Sequence, residues 1–316
     1  MTAATKDLRI VFMGTPAFAV SSLDILVKNG FHIAGVVTAP DKPAGRGLQV
    51  HQSAVKKYAA EHQLPVLQPA KLKDPAFLES LKGWQADLQV VVAFRMLPEV
   101  VWDMPPLGTL NLHGSLLPQY RGAAPINWAV INGETETGVT TFKLQHDIDT
   151  GNILFQEKIP IGPDETAGEL HDKMQETGAR LLLKTVRAIR DGQYHLVPQT
   201  ALADKDVPLK HAPKIFKEDG HIHWKRSVAD IYNLVRGLSP YPCAWTLLHN
   251  KTLKIFAAKK ETGAPLKAPG SFDTDGKTYL RYACNDGWLQ LLDVQLEGKK
   301  RLLITDFLRG YRFRKA

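Results

Sequence analysis

The stretch Leu8-Arg-Ile-Val-Phe-Met-Gly14 runs apolar and β-branched into Gly14-Thr15-Pro16, and helix-forming residues follow from Ala17 to Lys28. A β-rich run that stops at glycine and resumes as helix just after a proline predicts a strand, turn and helix unit, because proline's missing N–H costs little at a helix start. The alternation continues outward. Residues 32–38 predict a second strand closed by Pro40, 53–62 a helix, 65–68 a short strand, 75–82 a helix and 88–93 a continuous apolar strand. Strands without a polar face, alternating with helices, predict an α/β fold with a mostly parallel sheet covered on both sides. Residues 138–144 and 152–159 predict two more strands, and 165–190 one long amphipathic helix that opens with Thr166 and Glu169 at capping-box spacing.

After Gly192 the pattern changes. Residues 193–213 hold three prolines and no periodicity, which predicts a linker between a first domain at 1–192 and a second at 214–316. The second begins with a helix at 228–237. Short alternating runs at 245–249, 253–258, 278–284 and 289–296 then follow, separated by Gly, Asp and Asn, in the manner of a small antiparallel β-barrel. Charge divides at nearly the same place. Residues 208–316 carry 20 Lys+Arg against 10 Asp+Glu, whereas residues 1–207 carry 20 against 22. A basic module with interleaved aromatics beside a near-neutral one points to a polyanionic partner; a solvated basic surface is the plainer alternative.

Of 316 residues, 44% are hydrophobic and 23% charged, which excludes a disordered chain and fits about two domains. No apolar run approaches the roughly 18 residues of a membrane span, and the first residues lack a signal-peptide pattern, so the expected location is cytoplasmic. Cys243 and Cys284 have neither metal-ligand nor disulfide spacing, and no metal site is expected.

Several chemistries are excluded or narrowed by motif. Gly14-Thr-Pro-Ala-Phe-Ala19 lacks the later glycines of a dinucleotide fingerprint, and no complete Gly-x-x-x-x-Gly-Lys-Ser/Thr phosphate loop occurs. There is no Gly-x-Ser-x-Gly elbow and no cysteine beside a histidine, so covalent catalysis is not indicated and direct transfer to a bound acceptor is left. The richest segment is Gly108-Thr-Leu-Asn-Leu-His-Gly-Ser-Leu-Leu-Pro-Gln-Tyr-Arg-Gly122. Its alternation sets Leu110 and Leu112 on one side and Thr109, Asn111 and His113 on the other, at the carboxyl end of a strand where open α/β sheets bind ligands. An amide donor beside a titratable donor suits an oxyanion on a carbonyl carbon; a strand end facing solvent would carry the same residues. Asp147 and Asp149, in Gln145-His-Asp-Ile-Asp-Thr-Gly-Asn152, stand in a tight loop where they serve either as turn formers or as part of a site. In Pro40-Asp-Lys-Pro-Ala-Gly-Arg-Gly47, Lys42 and Arg46 are candidates for gripping a phosphate or strand end, if the loop is more than a surface insert.

Together these segments carry a resemblance. Asn111-x-His113-Gly-Ser-Leu-Leu-Pro118, Arg121-Gly-Ala-Ala-Pro125, Gly138-Val-Thr and Asp147-x-Asp149-Thr-Gly151 resemble the 10-formyltetrahydrofolate-dependent formyltransferase family. The start Val11-Phe-Met-Gly-Thr-Pro16 and the 40–47 loop resemble the branch whose acceptor is the methionine on initiator tRNA. The resemblance implies a Rossmann-like catalytic domain and an oligonucleotide-binding-type (OB-like) barrel along the tRNA. It implies Asn111, His113 and Asp149 as the catalytic trio, and Ser115, Leu116, Leu117 and Pro118 as the folate-binding loop. It further implies 10-formyltetrahydrofolate as co-substrate, Arg46 as the key cation of a loop that reaches initiator methionyl-tRNA, with Lys42 beside it a candidate by charge alone, and a monomer with no membrane partner. The family commonly carries Tyr-Gly where this chain has Phe94-Arg95. A related formyltransferase acting on a phosphorylated glycinamide or an amino sugar, and an RNA-binding protein without activity, are the alternatives.

Overall fold

The computed structural model describes residues 7–44, 49–204, 206–263 and 265–313. The chain forms two compact units, one of Met1–Arg121, Thr137–Ile159 and His171–Lys210, the other of Gly122–Glu136, Pro160–Leu170 and His211–Ala316.

The elements begin, as the sequence predicts, with β1 (Arg9–Gly14), α1 (Ala17–Lys28) and β2 (His32–Val37). On either side of residues 45–48, which lie outside the described residues, β3 (Lys42–Ala44) pairs antiparallel with β4 (Gln49–His51). There follow α2 (Ala54–Glu61), β5 (Val66–Leu67), α3 (Pro75–Gly83), β6 (Leu88–Val92), a short α4 (Glu99–Trp102) and β7 (Thr109–His113). Next come β8 (Arg121–Gly122), α5 (Pro125–Ile131), β9 (Glu136–Lys143), β10 (Ile153–Pro160) and the long α6 (Ala167–Arg190). Polar side chains start the helices where the sequence offers them. The Ser53 hydroxyl accepts the Lys56 N–H at 3.0 Å, and Asp74 accepts that of Ala76 at 2.9 Å. At α6 the capping box forms both ways: the Glu169 carboxylate accepts the Thr166 N–H at 2.8 Å, and the Thr166 hydroxyl accepts the Glu169 N–H at 3.2 Å.

The sheet of the first unit has the order β10-β9-β7-β6-β1-β2-β5. β1 pairs in parallel with both β2 and β6, and β7 in parallel with β6, whereas β9 runs antiparallel to β7. Strand order therefore reverses at β1, where α/β sheets open a crevice beyond the carboxyl ends of their strands. One face is closed by Val11, Met13, Val37 and Val91 packing with Phe77, Leu81 and Val101. The other face carries Leu112, over which α6 passes so closely that a Cβ added at Gly178 would lie 2.9 Å from Leu112 Cδ2. The Thr141 and Thr185 hydroxyls, both buried, meet at 2.8 Å beside this contact.

Of residues 193–213, expected as a linker between the domains, 193–210 are part of the first unit and 211–213 of the second. Val197 bridges Ile153 at the start of β10 by two backbone hydrogen bonds of 2.8 and 2.9 Å.

In the second unit the short β11 (His211–Ala212) precedes α7 (Val228–Leu238), β12 (Ala244–Leu248), β13 (Lys251–Thr262), β14 (Phe272–Thr274), β15 (Leu280–Ala283), β16 (Gly287–Leu296), β17 (Arg301–Leu303) and α8 (Ile304–Gly310). The antiparallel sheet has the order β12-β13-β16-β15-β14, with β17 added on β16. Ile231, Val235 and Leu238 of α7 fill its concave side against Leu253, Ile255, Leu289, Leu291 and Val294. This is an antiparallel half-barrel sheet, consistent with the small barrel that the regular short runs predict.

Candidate active site

Strand β7 sets the site. Asn111 lies between Val91 of β6 and Phe142 of β9, and His113 ends the strand opposite Thr140. Asn111 is half-buried, and its carboxamide has no hydrogen-bond partner among the described residues. It is thus a donor that the described residues leave uncommitted, at the middle of β7.

His113 is 7% exposed and fixed at one ring nitrogen. Nε2 lies 2.9 Å from the carbonyl oxygen of Tyr120, an acceptor only, so Nε2 carries the proton and donates. Nδ1, the other ring nitrogen, faces Asp149 Oδ2 at 3.8 Å. That spacing is longer than a hydrogen bond. The ring also stands edge-on to Phe142, with centroids 6.5 Å apart.

The anchors of this pair are strained. Tyr120 and Asp149 both adopt left-handed backbone, at φ 59° and 54°, a conformation that costs roughly 1–2 kcal/mol outside glycine and gathers at functional sites. Tyr120 is held there because its N–H donates to the Lys210 carbonyl at 2.7 Å. Asp149 sits in the turn between β9 and β10. Asp147, two residues earlier, is exposed and contributes its backbone carbonyl to Thr150. The structure therefore separates the two aspartates: only Asp149 reaches His113.

The Ser115–Pro118 loop is braced from beneath. The Ser115 hydroxyl donates to the Gln119 carbonyl at 2.6 Å. The Thr140 hydroxyl donates to the Ser115 carbonyl at 2.6 Å and accepts from the Leu117 N–H at 3.2 Å. Gln156 Nε2 donates to the Leu117 carbonyl at 2.8 Å and to Thr140 Oγ1 at 3.0 Å. Ser115, Leu117 and Pro118 are buried, which leaves Leu116 as the half-exposed side chain that a ligand can touch. Leu116 rests on Gly138, where an added Cβ would come within 2.5 Å of Leu116 Cδ2. Gln156 carries no signal in the sequence as a site residue, and Tyr120 and Thr140, though they fall within the quoted segments, act only through a backbone carbonyl and a hydroxyl beneath the loop.

Phe94-Arg95 follows β6. The Arg95 guanidinium stacks over Phe94 and donates to the carbonyls of Pro69 and Ala70, and burial draws its pKa down. Lys42 is exposed at the base of the β3–β4 hairpin; Arg46 lies outside the described residues. Next to that base Asp41 is bonded by Lys56 and Gln68, and these two bonds hold its carboxyl below the usual carboxylate range.

Much of the positive charge of the second unit is neutralised locally. Arg226, Lys267, Arg281, Arg301 and Arg309 pair with carboxylates, and Arg236 is buried among backbone carbonyls. Lys251, Lys259, Lys299 and Lys300, on β13 and the turn into β17, are exposed. Among the described residues no group of three or more His, Cys, Asp or Glu is arranged to hold a metal.

Known proteins resemble this chain along its whole length. Residues 8–186 match the family model described as formyl transferase, and residues 214–312 that of the formyl transferase C-terminal domain. A methionyl-tRNA formyltransferase of Bacteroides fragilis is 54% identical over 98% of this chain and 97% of its own length. That of Parabacteroides distasonis is 56% identical over 97% of both. Among solved structures, a sugar 3N-formyl transferase crystallised with dTDP and 5-N-formyl-THF superposes with a TM-score of 0.65 at 20% identity, covering 93% of this chain and 100% of that one. An N-formyltransferase of Helicobacter canadensis, in complex with folinic acid and dTDP-3-aminofucose, gives 0.66 at 22%, over 92% and 99%. These two likenesses are of fold.

Proposed function

The chain belongs to the formyl transferase family, and from that premise we propose that it moves a formyl group from 10-formyltetrahydrofolate to the α-amino group of methionine on initiator tRNA. The carrying observation is the geometry at the end of β7: an uncommitted amide at Asn111 beside a histidine whose Nδ1 faces a carboxylate. Full-length identity with methionyl-tRNA formyltransferases, against about a fifth with the sugar enzymes, supports the tRNA acceptor.

The residues present suit a formamide donor. The co-substrate supplies a formyl carbon whose oxygen gathers negative charge as an amine attacks. Asn111 donates its amide N–H to that oxygen, a contribution of roughly 3–4 kcal/mol by analogy with oxyanion donors. His113 takes at Nδ1 the proton that the attacking amine sheds and returns it to the departing nitrogen, while Nε2 stays fixed on Tyr120. Asp149 stands opposite the proton while His113 holds it. The new C–N bond forms on the methionine nitrogen as the old one breaks, with no change of oxidation state. Leu116 and the braced 115–118 loop offer the surface for the folate ring. The acceptor's α-amino group must be neutral, and with free values of about 7.7–8.0 an appreciable fraction is.

The division of labour assigns catalysis to residues 1–192, with the 193–210 stretch packed into the same unit, and tRNA docking to 214–316, with Lys42 and Arg46 reaching the acceptor end. The enzyme acts as a monomer in the cytoplasm; no described helix is long and apolar enough to cross a membrane. Incubation with 10-formyltetrahydrofolate and methionine-charged initiator or elongator tRNA tests the reading, with N-formylmethionine expected on the initiator. Formylation of an amino sugar but of neither tRNA would refute it. Asn111→Ala should lower turnover about 100- to 1,000-fold, on the order expected for one oxyanion donor.

A further inference from the structure

We propose that Gln199, together with Arg121, is a positioning residue that sets Asp149 against His113. This rests on the assignment of Asp149 above. Gln199 lies at the start of the one-turn 3-10 helix Gln199–Ala201, in the stretch whose sequence reads as linker, yet it is 3% exposed. Its Nε2 donates to the carbonyl of Asp149 at 2.8 Å and to that of Gly151 at 2.9 Å. Its Oε1 accepts from Arg121 Nε at 3.0 Å and Nη2 at 2.7 Å.

The amide orientation follows from chemistry. Turned over, it would set its oxygen against two carbonyls and its NH2 against a guanidinium, so only one orientation satisfies all four bonds. Every hydrogen-bonding position of the carboxamide is thus used. A carboxamide this buried would be costly unpaired, and each missing bond would leave a carbonyl or guanidinium unpaired as well.

What these bonds hold is the part of the turn least able to hold itself. Residues 145–148 are exposed, and Asp149 adopts left-handed backbone at φ 54°. Strain of that kind persists only where the surroundings over-determine it. The same stretch of chain is already anchored to β10 through the Val197–Ile153 bridge. The bonds of Gln199 are therefore directed at the Asp149 turn itself. They grip the backbone on both sides of Thr150 and so fix the direction in which the Asp149 carboxylate leaves it.

The test is a double-mutant cycle on the full-length protein. Gln199→Met keeps the volume and removes all four bonds. Gln199→Glu keeps the bond to Arg121 and sets an oxygen against the Asp149 and Gly151 carbonyls. Each should lower kcat about 10- to 100-fold, the scale of an ångström-sized misplacement. KM for 10-formyltetrahydrofolate and for methionyl-tRNA should stay within about twofold, and Arg121→Lys, which retains a donor, should lose less than Arg121→Ala. In an Asp149→Ala background Gln199→Met should cost less than about threefold more, because the group it positions is gone. Wild-type kcat in both Gln199 variants, or effects that multiply with that of Asp149→Ala, would overturn the assignment. So would failure of both variants to give a cooperative melt, which would make Gln199 a residue of stability alone. Wild-type turnover in Asp149→Ala by itself would instead overturn the reading of Asp149.

Discussion

Gly151→Ala offers a severe test of the site's geometry. A Cβ at this position would lie 1.6 Å from the Lys143 carbonyl oxygen, 2.8 Å from its carbon and 3.0 Å from Phe142 Cδ2. All three belong to β9, whose Lys143 N–H donates to the neighbouring Asn152 carbonyl at 3.0 Å. Ordinary contact needs roughly 3.5 Å, so the turn must back away from β9 by about 2 Å. Asp149 is two residues away, and its carboxylate stands 3.8 Å from His113 Nδ1. A displacement of that size should lower kcat by about 100-fold. Overpacking should also destabilise the first unit by about 1–3 kcal/mol. Gly192→Ala is the control: its φ is +67°, with nothing within 4 Å of the added methyl, so it should cost only about 1 kcal/mol of stability and leave kcat unchanged. The assay is initial-rate formylation of methionyl initiator tRNA at saturating substrates, alongside denaturant melts of all three proteins. Turnover of Gly151→Ala within about threefold of the parent would refute the claim that this turn is held in place for catalysis.

Three further outcomes are expected. Thr140→Val removes the hydroxyl that ties the Ser115 carbonyl, the Leu117 N–H and Gln156 together; stability should fall by about 1–3 kcal/mol and KM for the folate should rise, whereas an unchanged KM would mean the loop holds its shape without it. Burial pushes the Cys243 and Cys284 thiols up to about 11 and about 12, so at about pH 8 on the order of one thiol in a thousand or fewer is ionised. An aromatic disulfide reagent should therefore label neither until the protein is unfolded, and rapid native labelling at that pH would contradict this. Lys299→Ala with Lys300→Ala should weaken tRNA binding and reduce the log–log salt slope by about one unit for each phosphate left without its cation; an unaltered slope would direct attention away from the turn into β17.

How far these features can be read in the sequence depends on how local their causes are. α1 spans Ala17–Lys28 as expected because the strand, Pro16 and the helix-forming run adjoin one another along the chain. Asn111 and His113 are accessible through strand alternation, a period-two signal that survives without knowledge of the neighbours. The short elements give no such signal. Helices α5 and α8 have seven residues each, and neither has a side-chain cap; β14 and β17 have three residues each. The 193–210 stretch reads as a linker because its attachment relies on a backbone bridge at Val197 and a single buried glutamine, neither of which makes a periodic pattern. The tautomer of His113 is similarly hidden, because its partner is the carbonyl of Tyr120, and any residue at that position would carry one.

The contact between Gly178 and Leu112 bears on attempts to make the protein more robust. By local rules, glycine in a helix interior is an obvious candidate for replacement, since alanine is worth about 1 kcal/mol more there. Yet the methyl would press on a leucine 4% exposed, whose neighbours on β7 are Asn111 and His113. The depth at which that strand lies is set by the absence of one carbon atom on the helix behind it. A gain in helix stability at position 178 would be taken out of the alignment of the strand end, so thermostabilised variants of this chain should keep Gly178 while helical positions facing solvent change freely.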